Sequence, residues 1–510
     1  KKNELPNIAR FVRGGTSGDL ESSVPTATFP AWRCYSTGKN PGKLGVYSFL
    51  DVDVKNKTVS PNNSLSFKSK DIWDYLGSRG IACGVINLPG TYPVKEINGF
   101  MIAHSLIECS GFTYPPELED ELRVKFGYRI TPVYLYHDDR DKCIDEIKKI
   151  IQSRVRVAEY LINKFNPSFL HITFFYTDHI QHFFWGYMEN NDAKYGSVIR
   201  DIWVEVDKGI GKIFRRFVDK NTYVFVMGDH GFTKVKGEFA LGKWLIEKKY
   251  MKLNRRWLLI NAISKFGFNI ESIVNIAKKF GIYHIARKKI PQHLLLKLYG
   301  LLPSKKGVTV ASRGTYIDWN RSKVLLLQGI YINRNLINDK DYEQFREQLI
   351  EELRNIKNPE TGERLYRDVY KKEQILNGPY LDKAPDILTV TNGYVVRPKY
   401  NTKKLWEFSN LEATGHHELN SIFIAYGPDI KKGYKIEGAK IYDIAPTILH
   451  IFGLPIPNDM DGRVLMEIFE EDSELARKEP VYVDPSYYDQ KDERERLKAK
   501  IKELKFRGRI

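Results

Sequence analysis

Apolar runs alternate with amphipathic stretches along most of the chain. Three short apolar runs, ACGVINL (82–88), SFLHITFFYT (168–177) and TYVFVMGD (222–229), each stop at polar residues and predict buried strands. Between them, segments such as residues 144–165 carry apolar residues at helical spacing. Strands that alternate with helices in this way predict an α/β fold with a mostly parallel sheet and helices on both faces.

The pattern changes in two places. Residues 239–315 have the spacing of basic amphipathic helices and predict a helical insertion or cap, after which strand-like runs return. Residues 471–510 are highly charged and predict an exposed helical tail. The predicted segments are a first part of the α/β core at 1–238, the insertion at 239–315, a second part of the core at 316–470 and the tail at 471–510.

Composition adds two expectations. The four cysteines show no CxxC spacing, so we expect reduced thiols and a cytoplasmic protein. The formal net charge is +17, which is typical of the Lys-rich surfaces of thermophile proteins and would attract phosphorylated substrates. Specific nucleic-acid binding is not expected, because no recognised binding module accompanies the charge.

Three clusters of Asp and His stand beside predicted strands. In an open α/β sheet, ligands bind beyond the carboxyl ends of the strands, and imidazole with carboxylate suits Zn²⁺, Mn²⁺ or Fe²⁺. Each cluster alone has an ordinary explanation as a helix N-cap or a hydrogen-bonded histidine. Together they indicate a site for one or two metal ions. The clusters are TDHIQH with Asp178 and His182, GDHGF with Asp229 and His230, and TGHHELN with His416 and His417. Asp178 and His182 are four residues apart, so one turn of helix would put both on one face.

A nucleophile is available near the start of the chain. The stretch ESSVPTATFPAW enters a short helical run, and Thr28 falls at or near the helix N-terminus, where anions are favoured. The alternative role of Thr28 is that of a simple N-cap.

In order and spacing, these motifs resemble the type I phosphodiesterase/nucleotide pyrophosphatase family of the alkaline phosphatase superfamily, in its archaeal and bacterial branch. The resemblance implies an alkaline-phosphatase-like three-layer αβα sandwich. It runs from about residue 5 to about residue 470, with the helical insertion the least familiar part. The stretches that carry it are LPNIARFVRGGTSGDLESSVPTATFPAW (5–32), STGKNPGKLGV (36–46), TDHIQH (177–182), GDHGF (228–232), GHHELNSIFIAYGPDI (415–430) and IYDIAPTILHIFGLPIPNDMDGRVL (441–465).

The resemblance also implies a two-metal site. Zn²⁺ is the expected ion, with Mn²⁺, Fe²⁺ and Ni²⁺ as alternatives. His417 is preferred to His416 because the family places its ligand as G-x-H before the apolar strand, which leaves His416 and His179 as neighbours of the ligands. The implied assignment is Asp178, His182 and His417 for one ion, Asp229 and His230 for the other, and Thr28 as the nucleophile bridging toward the second ion.

One departure from the family concerns the second ion. The family opens with a short apolar strand that ends in Asp-Gly, upstream of the position of Pro6 and Asn7, and its Asp binds the second metal. The sequence begins at Lys1 and does not contain that strand. We expect that the sequence is truncated before this strand. The alternative is a catalytically impaired protein that binds phosphoesters.

The implied reaction is hydrolysis of a phosphodiester through a phospho-threonine on Thr28. The substrate class is a phosphorylated small molecule such as a nucleotide, sugar or lipid diester. A phosphomonoesterase or phosphonate hydrolase of the same superfamily is the alternative. Peripheral membrane contact through the basic and apolar residues 243–302 is a further alternative to a simple cap over the site.

Four residues are candidates for substrate contact. The diesterase relatives carry an Asn that binds a phosphoryl oxygen at the position of about Phe49, so that donor is lost here. The loop after the second strand would supply Asn87, Thr91 or Tyr92 instead, and Phe49 and Tyr92 would add apolar area.

Overall fold

The fold is described by a computed structural model that covers residues 4–254, 270–281, 316–400, 402–409, 411 and 413–489. None of the described helices is both long enough and apolar enough to cross a membrane. The helices are α1 (Pro6–Gly14), α2 (Thr28–Thr37), α3 (Pro41–Leu44), α4 (Ile72–Gly77), α5 (Leu118–Phe126), α6 (Arg140–Phe165), α7 (Tyr176–Glu189), α8 (Val198–Phe217), α9 (Leu241–Glu247), α10 (Ile270–Lys279), α11 (Asp339–Arg354), α12 (Lys372–Ile375), α13 (Ile444–Ile451) and α14 (Glu474–Arg477).

The strands are mostly short. They are β1 (Thr16–Glu21), β2 (Leu50–Asp53), β3 (Thr58–Pro61), β4 (Cys83–Ile86), β5 (Gly99–Ile102), β6 (Thr113–Tyr114), β7 (Phe169–Ile172), β8 (Val224–Met227), β9 (Gly231–Lys234), β10 (Gly237–Ala240), β11 (Val324–Leu326), β12 (Ile330–Ile332), β13 (Tyr366–Lys371), β14 (Ile387–Thr391), β15 (Tyr394–Arg397), β16 (Trp406–Glu407), β17 (Gly415–Glu418), β18 (Asn420–Tyr426), β19 (Lys435–Lys440), β20 (Ile456–Pro457) and β21 (Tyr482–Val483).

The chain divides into two compact units. Unit 1 comprises residues 1–45, 63–234 and 413–510, and unit 2 comprises residues 46–62 and 235–412. This division differs from the predicted segments, because the range predicted as a second core segment is split at residue 412. Most of the predicted helical insertion lies outside the described residues, and its described part contains α9 and α10.

Among its described residues, unit 1 contains two four-stranded sheets. In one, the order is β6-β5-β4-β7, and β4 runs parallel to both β5 and β7. In the other, the order is β19-β1-β18-β8, where β1 and β19 are parallel and β18 is antiparallel to both of its neighbours. The strands are therefore mixed in direction within an α/β fold.

Helices cover both faces of strand β7. Leu170 and Ile172 pack into the cluster formed with residues of α5 and α6, among them Leu161. His171 points to the opposite face, where its Nδ1 lies 3.0 Å from the hydroxyl of Tyr35 on α2. Because side chains alternate along a strand, this arrangement gives a helix–sheet–helix layering.

Two of the predicted buried strands differ from the structure, β7 in its length and β8 in its burial. The run 168–177 contains a strand only up to Ile172, and helix α7 begins within the same run at Tyr176. Residues 222–229 contain β8 as predicted, but every residue of β8 is only half-buried. Strand β8 is the terminal strand of its sheet, as β7 is of the other, so a neighbouring strand covers it on one side only.

Unit 2 has its own sheets and its own core. One sheet has the order β11-β12-β14-β13 and another has β15-β10-β16. The run predicted as a single strand at 322–333 is the antiparallel hairpin of β11 and β12. Gln328 turns this hairpin with a φ of 62°. The core of the unit includes Phe239, Leu349 and Tyr394, which are almost fully buried.

The start of the predicted exposed tail belongs to unit 1 and contacts other parts of that unit. Strand β21 pairs in parallel with β20. Tyr488 is fully buried, its ring lies 4.7 Å from that of Tyr75, and its hydroxyl donates a hydrogen bond to the carbonyl of Pro455. Most described residues of this segment are exposed, and the buried ring of Tyr488 anchors it. Residues 490–510 lie outside the described part of the chain.

Candidate metal centre

Three stretches of chain in unit 1 bring Asp and His side chains together. Helix α7 begins shortly after β7 and carries Asp178 and His182 in its first two turns, as their spacing predicts. Asp229 and His230 lie in the turn between β8 and β9. Strand β17 pairs antiparallel with β9 and places His417 opposite Phe232. The clusters singled out in the sequence are thus neighbours in space.

Asp178, His182 and His417 form a compact group. The Nε2 atoms of His182 and His417 are 3.0 Å apart. Asp178 Oδ1 lies 3.2 Å from His417 Nε2 and 3.6 Å from His182 Nε2. One ligand atom from each residue lies within 4.8 Å of the others, so the group could hold one metal ion.

Backbone carbonyls orient both imidazoles of this group. His182 Nδ1 is 2.8 Å from the carbonyl oxygen of Gly415, and His417 Nδ1 is 3.1 Å from that of Thr26. A ring nitrogen that faces a carbonyl oxygen carries the proton, which leaves Nε2 as the basic nitrogen in a neutral imidazole. Metal-binding histidines are commonly held in this way.

A second group lies directly beside the first. His230 Nε2 is 3.3 Å from Asp229 Oδ2 and 3.8 Å from Asp178 Oδ1. The ring of His230 stacks on that of His417 at a centroid distance of 3.5 Å. Asp178 therefore lies close to both His182 and His230, although the sequence assignment placed these two histidines on separate ions.

Burial and mutual charge shift the pKa values of the cluster. Burial raises the pKa of Asp229 to about 7, and the negative charge of Asp178 adds to the effect. Burial lowers the pKa of His230 to about 3. Burial opposes ionisation of Asp178 and protonation of His417, but their mutual attraction outweighs it, so the pKa of Asp178 is lowered and that of His417 is raised.

The donor set fits a divalent cation. Asp178 Oδ1, Asp229 Oδ2 and His230 Nε2 are buried and make no well-directed hydrogen bond. Buried polar atoms without partners are costly. A cation among these atoms would compensate that cost, and a mixture of imidazole and carboxylate is a ligand set of Zn²⁺ and Mn²⁺.

A cavity of about 1220 Å³ opens beside the cluster. Its lining includes Thr28, Asp178, Asp229 and His230. Thr28 is the first residue of α2, as its sequence position predicts, and its side chain is mostly buried. Among the described residues that line the cavity there is no Lys or Arg, although the chain as a whole is strongly basic.

The residues predicted to contact substrate lie elsewhere. Asn87 is fully buried, and its Oδ1 accepts hydrogen bonds from Tyr128 and Arg154. Thr91 donates its hydroxyl hydrogen to the carbonyl of Leu88. These polar groups make hydrogen bonds inside the fold and do not line the cavity beside Thr28, and their role in substrate contact stays a prediction.

The remaining predicted residues have the following places. Tyr92 donates a hydrogen bond to the carbonyl of Ser110 and does not line the cavity beside Thr28. Phe49 belongs to unit 2. His416 precedes His417 on β17 and stacks against it at 5.3 Å. Burial lowers the pKa of His179, which follows Asp178 on α7, to about 4.

The carbonyls of Thr26 and Gly415 were not found by sequence reasoning. Backbone acceptors leave no signature in side-chain identity, so a single sequence does not reveal them. Gly415 offers an indirect signal. A Cβ at this position would lie 2.3 Å from the carbonyl oxygen of Gln181, so only glycine lets β17 approach α7 this closely.

We expect Gly415→Ala to weaken metal binding. The added methyl would push β17 away from α7 and break the contact between His182 Nδ1 and the Gly415 carbonyl. Loss of such an orienting contact typically costs about 10- to 100-fold in metal affinity. Titration with Mn²⁺ and Zn²⁺ by calorimetry would measure it. Gly77→Ala, whose methyl would meet the Asn98 side chain at 3.2 Å, is the control, and equal affinity of both variants would contradict the prediction.

The chain is similar to known proteins at the level of sequence family and of fold. The family model described as type I phosphodiesterase / nucleotide pyrophosphatase matches residues 1–419. Murine ectonucleotide pyrophosphatase/phosphodiesterase 5, both as an inactive threonine-to-alanine variant in complex with AMP and in a second structure, aligns with a TM-score of 0.50 at 15% identity. These alignments cover 91% of this chain and 93% or 95% of the murine chains. At this identity the likeness shows the fold.

A second sequence similarity covers only a short stretch of the chain. Over 64 residues the chain is 39% identical to the 2,3-bisphosphoglycerate-independent phosphoglycerate mutase of Aeromonas salmonicida strain A449. The match covers 12% of this chain and 12% of that enzyme.

Proposed function

The chain belongs to the type I phosphodiesterase/nucleotide pyrophosphatase family, and we propose that it is a metal-dependent phosphodiesterase that works through a phospho-threonine on Thr28. One observation carries this proposal. Thr28 begins helix α2 and lines the same cavity as Asp178, Asp229 and His230. A hydroxyl at a helix N-terminus, beside a cluster suited to cations, is well placed to meet a phosphoryl group.

The contacts of the cluster support an assignment of metal ligands. Two divalent ions, when bound, supply positive charge that lowers the pKa of nearby hydroxyl groups and stabilises charge on the phosphoryl oxygens. We propose Zn²⁺, with Mn²⁺, Fe²⁺ and Ni²⁺ as alternatives. The proposed ligands are Asp178, His182 and His417 for one ion and Asp229 and His230 for the other.

The residues of the chain account for the bond changes. Thr28 Oγ1 loses its proton and forms a bond to phosphorus while the bond from phosphorus to the leaving oxygen breaks, and the leaving group takes up a proton. Water then attacks the phospho-threonine, the bond to Oγ1 breaks, and the threonine hydroxyl is restored. Two in-line displacements leave the configuration at phosphorus unchanged. The N-terminus of α2 favours the negative phosphoryl group throughout.

The lining of the cavity favours a diester over a monoester. A diester carries one negative charge and two organic groups, whereas a monoester is a dianion at neutral pH. No Lys or Arg lies among the described lining residues to pair with a second charge, and aromatic side chains such as Trp32 and Phe232 offer apolar area. The AMP complex of the murine relative supports a nucleotide as one of the organic groups. A monoester or phosphonate substrate is the alternative.

We expect kcat/KM for bis-p-nitrophenyl phosphate to exceed that for p-nitrophenyl phosphate. The preference should reach about tenfold, or ~1.4 kcal/mol of barrier, because the second charge of the monoester meets no cationic side chain in the cavity. Initial rates with Zn²⁺, Mn²⁺, Fe²⁺ and Ni²⁺, each added after dialysis against a chelator, would measure it.

Two results would argue against this function. A preference for the monoester with every metal would reject the diesterase assignment while leaving the metal cluster and Thr28 in place. Hydrolysis of neither substrate, together with one bound ion or none by elemental analysis, would favour a phosphoester-binding protein without catalysis.

A further inference from the structure

The positive charge of the chain is concentrated in one part of the sequence. Residues 239–315 contain 16 of the 80 Lys and Arg residues but only 2 of the 63 Asp and Glu residues. They therefore account for +14 of the formal net charge of +17, and the rest of the chain is close to neutral. A local excess of this size attracts an anionic partner to this stretch of the chain.

Helix α10 lies inside this basic stretch and carries an exposed apolar stripe. Ile273, Ile276 and Phe280 are 46%, 58% and 70% exposed. Because a helix turns by about 100° per residue, these three positions fall on one face. The amide of Phe280 donates a hydrogen bond to the carbonyl of Ile276, so the last helical turn extends to Phe280.

The lysines of α10 lie outside the stripe. Lys278 and Lys279 are exposed in the last turn of the helix. At helical spacing, Lys279 borders the stripe and Lys278 lies on the opposite face. Helices that lie in a membrane interface have this distribution, because their apolar side chains enter the boundary of the acyl layer while the ammonium groups contact lipid phosphates.

We propose that α10 is a peripheral anchor that binds the surface of an anionic lipid bilayer, with Ile273, Ile276 and Phe280 inserted into the interfacial layer. The helix has ten residues. Its length of about 15 Å suits a helix that lies in the plane of a membrane, since a spanning helix needs about 20 residues. Binding of this kind is independent of the reaction proposed for Thr28.

A bilayer is favoured over two other anionic partners. The backbone of a nucleic acid offers negative charge but no apolar layer for the stripe. An acidic protein surface is disfavoured because lysine is depleted in protein interfaces, whereas Lys279 borders the stripe directly. A bilayer with anionic headgroups provides an apolar layer and negative charge at the same depth.

The test uses the full chain and vesicles of two compositions. Sedimentation with vesicles of phosphatidylcholine and phosphatidylglycerol in equal parts would be compared with sedimentation with vesicles of phosphatidylcholine alone. The apolar variant is Ile276→Ser combined with Phe280→Ser. Its matched control is Val124→Ser combined with Leu336→Ser, because these two apolar side chains are also exposed but belong to other parts of the chain.

A second pair of variants tests the charge. Lys278→Gln combined with Lys279→Gln removes two positive charges from α10. Its matched control is Lys340→Gln combined with Lys357→Gln, which removes the same charge from two exposed lysines outside residues 239–315. Hydrogen exchange in residues 270–280 would show whether α10 itself contacts the vesicles.

We expect the wild-type chain to bind the anionic vesicles at least about tenfold more tightly than the neutral ones. The apolar variant should weaken binding to the anionic vesicles at least about tenfold. The charge variant should weaken the same binding about tenfold, and raising the salt concentration from ~0.1 M to ~0.5 M should do likewise. Both controls should bind as the wild type does, and amide exchange in residues 270–280 should slow when anionic vesicles are added.

Four outcomes would overturn the proposal. Failure to sediment with anionic vesicles would exclude a bilayer as the partner. Undiminished binding of the apolar variant, without protection of residues 270–280, would show that charge elsewhere holds the vesicles. A lower Tm of the apolar variant than of its control, without vesicles, would show that the stripe packs within the chain. A dimer in light scattering that the apolar variant abolishes would identify a second copy of the chain as the partner.

Discussion

Replacing Thr28 by alanine is expected to abolish nearly all hydrolysis of bis-p-nitrophenyl phosphate while leaving the bound metal in place. Thr28 provides the only bond that the proposed reaction makes between protein and phosphorus, so without it the reaction has no covalent route. We expect a loss of at least about a thousandfold in kcat, or ~4 kcal/mol of barrier. The proposed metal ligands lie on α7, on β17 and in the turn after β8, so the substitution removes none of them.

Thr28→Ser is the matched control. It retains a hydroxyl on the first residue of α2 and should keep activity within about tenfold, or ~1.4 kcal/mol, of the wild type. Mass spectrometry of acid-quenched protein should find phosphate on the peptide that contains Thr28, and none on the alanine variant. Activity of Thr28→Ala within about tenfold of wild type, at equal metal content, would exclude the residue as the nucleophile.

The second large effect is expected at the proposed metal ligands. His182→Ala and His417→Ala should each lower metal content as well as rate. Each removes one of the two Nε2 atoms that lie 3.0 Å apart beside Asp178. Removal also leaves the remaining imidazole and the buried carboxylate without a common partner. We expect losses in metal affinity well beyond about 100-fold, the upper end of what disturbing an orienting contact causes.

His416→Ala is the control for this prediction. His416 is the neighbour of His417 on β17, but it is not part of the three-residue group that could hold an ion. Elemental analysis after dialysis, and titration with Mn²⁺ and Zn²⁺, should show near-normal binding. Loss of metal in His416→Ala with retention in His417→Ala would reverse the assignment of the pair.

The local parts of the candidate site could be predicted from the sequence. The interval of four between Asp178 and His182 is one helical turn, and α7 covers both residues. The position of Thr28 followed from a Thr/Pro-rich loop entering a helical run, and α2 begins there. Such features depend on neighbouring residues alone, which is why one sequence suffices.

Features that depend on distant parts of the chain were less predictable. The amide of Asn87 follows a strand end, which suggested a ligand, but Tyr128 and Arg154 occupy it from other elements. The burial of β8 was overestimated, because an apolar run does not reveal whether a partner strand stands on both sides. The division at residue 412 depends on packing across the whole chain and has no local signal.

The contact between α7 and β17 has a consequence for how this protein should be handled. His182 and His417 are 235 residues apart in sequence, so an ion held by both joins the ends of a very long loop. Only the folded chain brings these ends together. An ion that binds the native state alone adds about 2.7 kcal/mol to the free energy of unfolding at a hundred times its Kd. Preparations with different histories of chelator exposure would then melt at different temperatures, although their covalent structure is identical. If the chain binds metal as proposed, a Tm has meaning only alongside the concentration of free metal at which it was recorded.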